Sequence, residues 1–141
     1  MPEKPEVNIV RELAWFRYRL RCFLRFSERA ARACGVTPQQ HQLMLGIAGY
    51  ADSGTATISQ LSEFLQERNN SVVGQVERAA ERGLVHRENA VADRRQVLVT
   101  LTPAGEAILR RLNRLHHEEI RRIRQGILSP RRRRAGDRVH S

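Results

Sequence analysis

Asp93, Arg94 and Arg95 stand together in the stretch VADRRQVLVTLT at 91–102, between two short runs rich in valine, leucine and threonine. A guanidinium is a planar fork of donors suited to phosphate oxygens and base edges, so two in succession on a turn suit contact with an anion. An ordinary solvated hairpin tip would look the same. Upstream, Asn69, Asn70 and Ser71 open a periodic segment that carries Gly74 and Arg78 further along. Short polar side chains at a helix start can donate to phosphates or read base edges. These residue types recognise; they do not transform. No nucleophile and base are paired by spacing, no glycine loop is built to cradle a phosphate, and His41, His116 and His117 lack a compact set of metal-ligating neighbours. The sequence therefore reads as a protein that is not an enzyme, with no cofactor and no metal.

Charge supports an anionic partner. Across 141 residues there are 25 basic side chains against 15 acidic ones, a net charge of +10, and Lys4 is the single lysine. Arginine usage of this kind suits nucleic acid, although a GC-rich genome produces it too. With 40% hydrophobic and 28% charged residues, the chain has the make-up of one folded globular domain. No apolar run is long enough to cross a bilayer, and MPEKPEVN is not a secretion signal, so a cytoplasmic protein is expected. Cys22 and Cys34 are too few for a disulfide framework and fit a reducing compartment.

The elements that position these groups follow from periodicity and caps. Ile9, Leu13, Phe16, Leu20, Phe23, Leu24 and Ala31 recur at helical spacing up to Gly35, which predicts a helix longer than a small domain needs. Thr37 and Pro38 open a second helix that runs through VTPQQHQLMLGIAGYA before ADSGTA breaks it. Thr57 and Gln60 form a capping box for a third. The fourth runs over SVVGQVERAAERG, with Asn69 or Asn70 as cap and Gly83 as stop. Val72, Val76 and Ala79 share one of its faces, which turns Asn70, Gly74, Glu77, Arg78 and Glu81 outward. Two short helices joined by a tight turn make a helix-turn-helix, whose second helix can enter a major groove. LVHRENA and QVLVTLT then form a hairpin around the arginine turn. A last helix begins at Thr102 and Pro103, and the chain ends in a polar arginine tail expected to be mobile. The fold class expected is mainly α (α+β), divided into an N-terminal helix (1–35), a central DNA-binding unit (36–102), a C-terminal helix (103–128) and the basic tail (129–141).

The order of these elements, with SVVGQVERAAERGLVHRE leading into VADRRQVLVTLTPAGEAIL, resembles the MarR family of winged-helix regulators over roughly residues 8 to 125. GLVHR, the Asp-x-Arg of Asp93 and Arg95, and LTPAGEAIL carry the resemblance. It implies a homodimer held by the first and last helices, binding a pseudo-palindromic operator in double-stranded DNA and regulating transcription as a repressor. It further implies that Asp93 braces the wing while Arg95 reaches into a minor groove and Arg94 meets phosphate. The terminal helices themselves carry more apolar surface than three short helices and a hairpin can cover, which also points to a second copy.

Members of the family are commonly released from DNA by small aromatic acids or other lipophilic anions. By that resemblance Trp15, Tyr18 and His41 would line a ligand pocket, with Arg19 or Arg25 taking a carboxylate. Packing in a dimer explains Trp15 and Tyr18 equally well. A different function class also fits the charge: a nonspecific nucleic-acid-binding or protein-interaction module on the same scaffold, which would keep the salt dependence of binding and lose operator preference.

Overall fold

The computed structural model describes residues 5–126. Its elements are α1 (Pro5–Ala33), α2 (Pro38–Leu45) running into a π-helical turn (Gly46–Tyr50), β1 (Thr55–Thr57), α3 (Ile58–Leu65), α4 (Asn69–Glu81), β2 (Val85–Asn89), β3 (Val97–Leu101) and α5 (Pro103–Gly126). The mainly helical architecture with a small sheet is the one expected. The arginine tail at 129–141 lies outside the described residues. The chain divides into two compact units, residues 28–115 and the remainder, so that α1 and α5 contribute to both.

Within the 28–115 unit the helix boundaries follow from local chemistry. α1 stops where Gly35 turns to a positive φ of 81°. The Val36 amide then bonds back to the Ala31 carbonyl, the C-terminal closure that glycine permits. α2 and α3 open identically: the Thr37 and Thr57 hydroxyls accept from the Gln40 and Gln60 amides, and both glutamines return the bond to the threonine amide. Thr57→Val is expected to lower stability by about 1 kcal/mol, read as a drop in melting temperature with the helical circular dichroism of the folded state unchanged.

Beyond Leu45, α2 does not continue as a regular helix. Gly46 is buried, and a Cβ there would press on the Phe64 ring and the Leu61 side chain of α3. The turn widens to the i→i+5 pattern, with the Ala51 amide bonded to the Gly46 carbonyl. Tyr50, at its end, lies against Phe64 with ring centroids 5.3 Å apart. Partial desolvation, then the neighbouring Glu63 carboxylate, raises the Tyr50 pKa.

The sheet is antiparallel with strand order β1-β3-β2. The strand β1 was not expected; it occupies the end of the segment read as a break. Ala56 pairs with Val99 on one side of β3 and Arg87 pairs with Val99 on the other. Val99 and Ala56 are fully buried, and with Leu43, Met44, Ile47, Leu61, Val72, Val76 and Leu112 they form the core of this unit. In the other unit, Phe23, Phe26 and Ser27 of α1 surround the buried His116 of α5. The Ser27 hydroxyl lies 3.0 Å from its Nε2, and both phenylalanine rings meet the imidazole edge to face.

Candidate nucleic-acid interface

α3, α4 and the β2–β3 hairpin position the residues singled out from sequence. α3 ends on Gln66, which takes a left-handed conformation (φ 54°) where a glycine is usual, its side-chain amide donating to the Glu63 carbonyl. The chain thereby reverses tightly and α4 begins three residues later. Val72, Val76 and Ala79 are buried as expected, and Gln75 is buried with them. Asn70, Ser71, Glu77, Arg78 and Glu81 are exposed on the same helix.

The cap of α4 needs correction. Arg68, not an asparagine, holds the N-cap position and makes no side-chain capping bond. Asn69 is already helical, and its Oδ1 accepts from the Ser62 hydroxyl at 2.6 Å. The helix start is organised by Glu67, which sequence reasoning passed over. Its Oε2 accepts from the Ser71 hydroxyl at 2.9 Å and from the Gln75 side-chain amide at 2.5 Å. A carboxylate here also faces the positive end of the helix dipole. The only sequence signal is an acid just ahead of the helix start.

Removing the carboxylate leaves a buried amide without its acceptor. Glu67→Ala is expected to cost about 2 kcal/mol, whereas Glu67→Gln, which keeps an acceptor oxygen, should recover most of it. Chemical denaturation of the two variants beside wild type checks this.

Gly74 and Arg78 act together. The Arg78 guanidinium lies back along α4, and a Cβ at position 74 would stand 3.3 Å from its Nη1. Glycine thus leaves room for the arginine on the helix surface. Arg78 also borders a small cleft of about 110 Å³ shared with Thr37, Gln40, Leu43 and Gln75. Glu77, an acid on the outward face, is neutralised by Arg87 of β2 at 3.4 Å. Arg87 is the second residue that sequence reasoning missed, because its partner lies on another element.

At the hairpin tip, the Ala90 amide bonds to the Gln96 carbonyl at 2.8 Å and closes the loop. Inside it, the Asp93 carboxylate accepts from the Arg95 amide at 3.0 Å, and the Gln96 amide donates to the Asp93 carbonyl. Asp93 therefore braces the turn through the backbone. Arg94 and Arg95 are exposed, and among the described residues neither guanidinium has an ion-pair or hydrogen-bond partner. Both are available to an external anion.

The base of the hairpin is tied to α5. The Thr102 hydroxyl accepts from the Gly105 amide and donates to the Gly83 carbonyl, while the Thr102 amide donates to the Leu84 carbonyl. Thus GLVHR and LTPAGEAIL, read separately in sequence, meet in one knot beneath the wing.

The residues expected to bind a ligand fall in two places. In the unit built from the ends of α1 and α5, Trp15 and Tyr18 pack edge to face at 5.8 Å, and the Arg19 guanidinium carbon stands 6.0 Å from the Trp15 ring centre. His41 is buried in the other unit. Cys22 is exposed and Cys34 buried, both as free thiols. Among the described residues no group of three or more His, Cys, Asp or Glu side chains is placed to hold a metal ion, and no helix is long and apolar enough to cross a membrane.

A helix-turn-helix followed directly by a two-stranded wing, flanked by long helices, is a winged-helix fold, and specifically the fold of the MarR-family transcriptional regulators. A mutant MarR from E. coli, solved in complex with operator DNA, superposes with a TM-score of 0.66 and 20% identity over 85% of this chain and 84% of that one. AbsC, a MarR family transcriptional regulator from Streptomyces coelicolor, gives 0.71 at 20% identity, covering 92% and 84%. Bordetella bronchiseptica BpsR, whose DNA binding is regulated by 6-hydroxynicotinic acid, gives 0.61 at 25% identity, covering 81% and 83%. By sequence, no protein-family model and no curated protein matches the chain.

Proposed function

We propose that this protein is a MarR-type, sequence-specific regulator of transcription that binds double-stranded DNA in the cytoplasm as a homodimer and acts as a repressor. The observation that carries the reading is the braced wing tip: Arg94 and Arg95 stand exposed and without partners among the described residues, while Asp93 fixes the turn of the β2–β3 hairpin that carries them. In this reading α4 enters a major groove with Asn69, Asn70, Ser71 and Arg78 toward the bases and phosphates, and Gly74 permits close approach. Arg95 enters the adjacent minor groove, whose narrow walls concentrate negative potential. The operator complex of the similar E. coli protein supports it.

Exposed apolar side chains support the homodimer. Ile9, Val10 and Leu13 of α1 are more than half exposed, and Phe16, Leu20 and Leu24 remain partly so. A helix with this much uncovered apolar surface is stabilised by a second copy. Release by a small aromatic or lipophilic anion is proposed by likeness to BpsR, with the Trp15, Tyr18 and Arg19 cluster supplying an aromatic wall and a cation.

The test is binding to duplex DNA from the promoter of the protein's own gene and to scrambled duplex, across a salt series. Preference for the promoter supports a sequence-specific regulator. Equal, steeply salt-dependent binding to both would overturn operator choice and favour a nonspecific nucleic-acid-binding module.

A further inference from the structure

The charge of α1 is arranged, and the winged-helix reading does not use it. From Leu13 to Ser27 there is no acidic residue, and Arg17, Arg21 and Arg25 each directly follow an apolar residue, Phe16, Leu20 and Leu24. On a helix, one position is about 100° of rotation, so this repeat sets an arginine row beside the apolar row. Steps of four keep the three guanidiniums on one side over about 12 Å of axis. All three residues are exposed, and among the described residues none has an ion-pair or hydrogen-bond partner. Arg19 differs, being turned toward Trp15.

α5 shows what an ordinary solvated arginine helix looks like in the same unit. There Arg121 and Arg122 are balanced within the helix by Glu118 and Glu119, while Arg124, like the α1 arginines, has no such pair among the described residues. Such pairs are weak but favourable, and like charges at i,i+4 are mutually unfavourable. The α1 row therefore carries a repulsion that a polyanion would relieve.

We propose that Arg17, Arg21 and Arg25 form a second polyanion-binding surface, separate from α4 and the wing, whose occupant is the sugar-phosphate backbone of duplex DNA. The choice of DNA rests on the DNA-binding reading above and on the match of an arginine row to a phosphate backbone. The spacing suits it: about 12 Å of duplex presents roughly seven phosphates, and arginine forks match phosphate oxygens. A protein with both surfaces could hold flanking or neighbouring DNA while reading a site.

The experiment compares the full-length protein with the triple variant Arg17→Ala, Arg21→Ala, Arg25→Ala and with its triple lysine counterpart, on a random-sequence duplex, across a salt series. Loss of three contacts per protomer should reduce the slope of log K against log salt by about 2.7 for each protomer engaged, and the lysine variant should retain it. Circular dichroism and sedimentation confirm that fold and assembly are kept. An unchanged slope in the alanine variant overturns the proposal, as does a lysine variant that loses the slope equally. So does an alanine variant that binds duplex normally but no longer binds vesicles of acidic phospholipid, which would make a membrane surface the occupant. Arg95→Ala run in parallel separates the two readings: loss of DNA binding there with no change in the triple variant overturns only this inference, and the converse overturns only the role of the wing.

Discussion

Arg95→Ala is expected to weaken binding to a preferred duplex by ten- to a hundredfold, corresponding to about 1–3 kcal/mol for a well-placed arginine contact to base edges. The guanidinium has no partner among the described residues, so its removal breaks no bond there and is expected to leave stability unchanged. The Asp93 brace uses the backbone amide of residue 95, which alanine retains, so the turn itself survives the substitution. This separates reach from scaffold. Arg94→Ala should act differently, lowering affinity for all duplexes alike and reducing the salt slope by about 0.9 for each protomer engaged, because a phosphate contact carries no sequence information. Fluorescence anisotropy titrations of both variants on promoter and scrambled duplex distinguish the two outcomes. If Arg95→Ala binds both duplexes as wild type does, the minor-groove role is wrong.

The second large effect concerns stability. Gly105→Ala is expected to cost about 3 kcal/mol, at the upper end for overpacking, and to lower the melting temperature by roughly 10 °C. Gly105 lies in the first turn of α5, where alanine would ordinarily be the better residue. Here a Cβ would be driven into the Leu84 carbonyl oxygen, a backbone atom that cannot step aside without moving the start of β2. That carbonyl also accepts from the Thr102 amide, so displacing it loosens the knot beneath the wing. Thermal melts read the stability. DNA binding measured well below the transition should fall less than it does in Arg95→Ala, since the wing tip is untouched. A variant as stable as wild type would show that the contact relaxes freely.

Local signals carried most of what the sequence made legible. The threonine caps at 37, 57 and 102 and the glycine stops at 35 and 83 depend on neighbours within a few residues, so type and spacing suffice to read them. The apolar face of α4 is legible for the same reason, whereas the brace by Asp93 comes from the resemblance to the MarR family. Features formed between elements were not. β1 is too short for alternation to show and exists through its pairing with β3. The π-helical turn begins at Gly46, whose missing side chain leaves room for Phe64 and Leu61 of another element. Asn69 and Asn70 have the side chains of caps, yet Ser62 from the preceding helix engages Asn69, and Glu67 takes the organising role. The pairing of Glu77 with Arg87, which decides whether α4's outward acid repels a phosphate, likewise joins residues on different elements.

The backbone bond from Ala90 to Gln96 closes the wing before its tip begins, and the Thr102 tie anchors the hairpin below. Beyond the upper of these two clasps the residues from Val91 to Arg95 form an interchangeable cassette. A longer or differently charged tip could be grafted there without disturbing the core that carries it, so target preference in this scaffold is free to diverge faster than its stability.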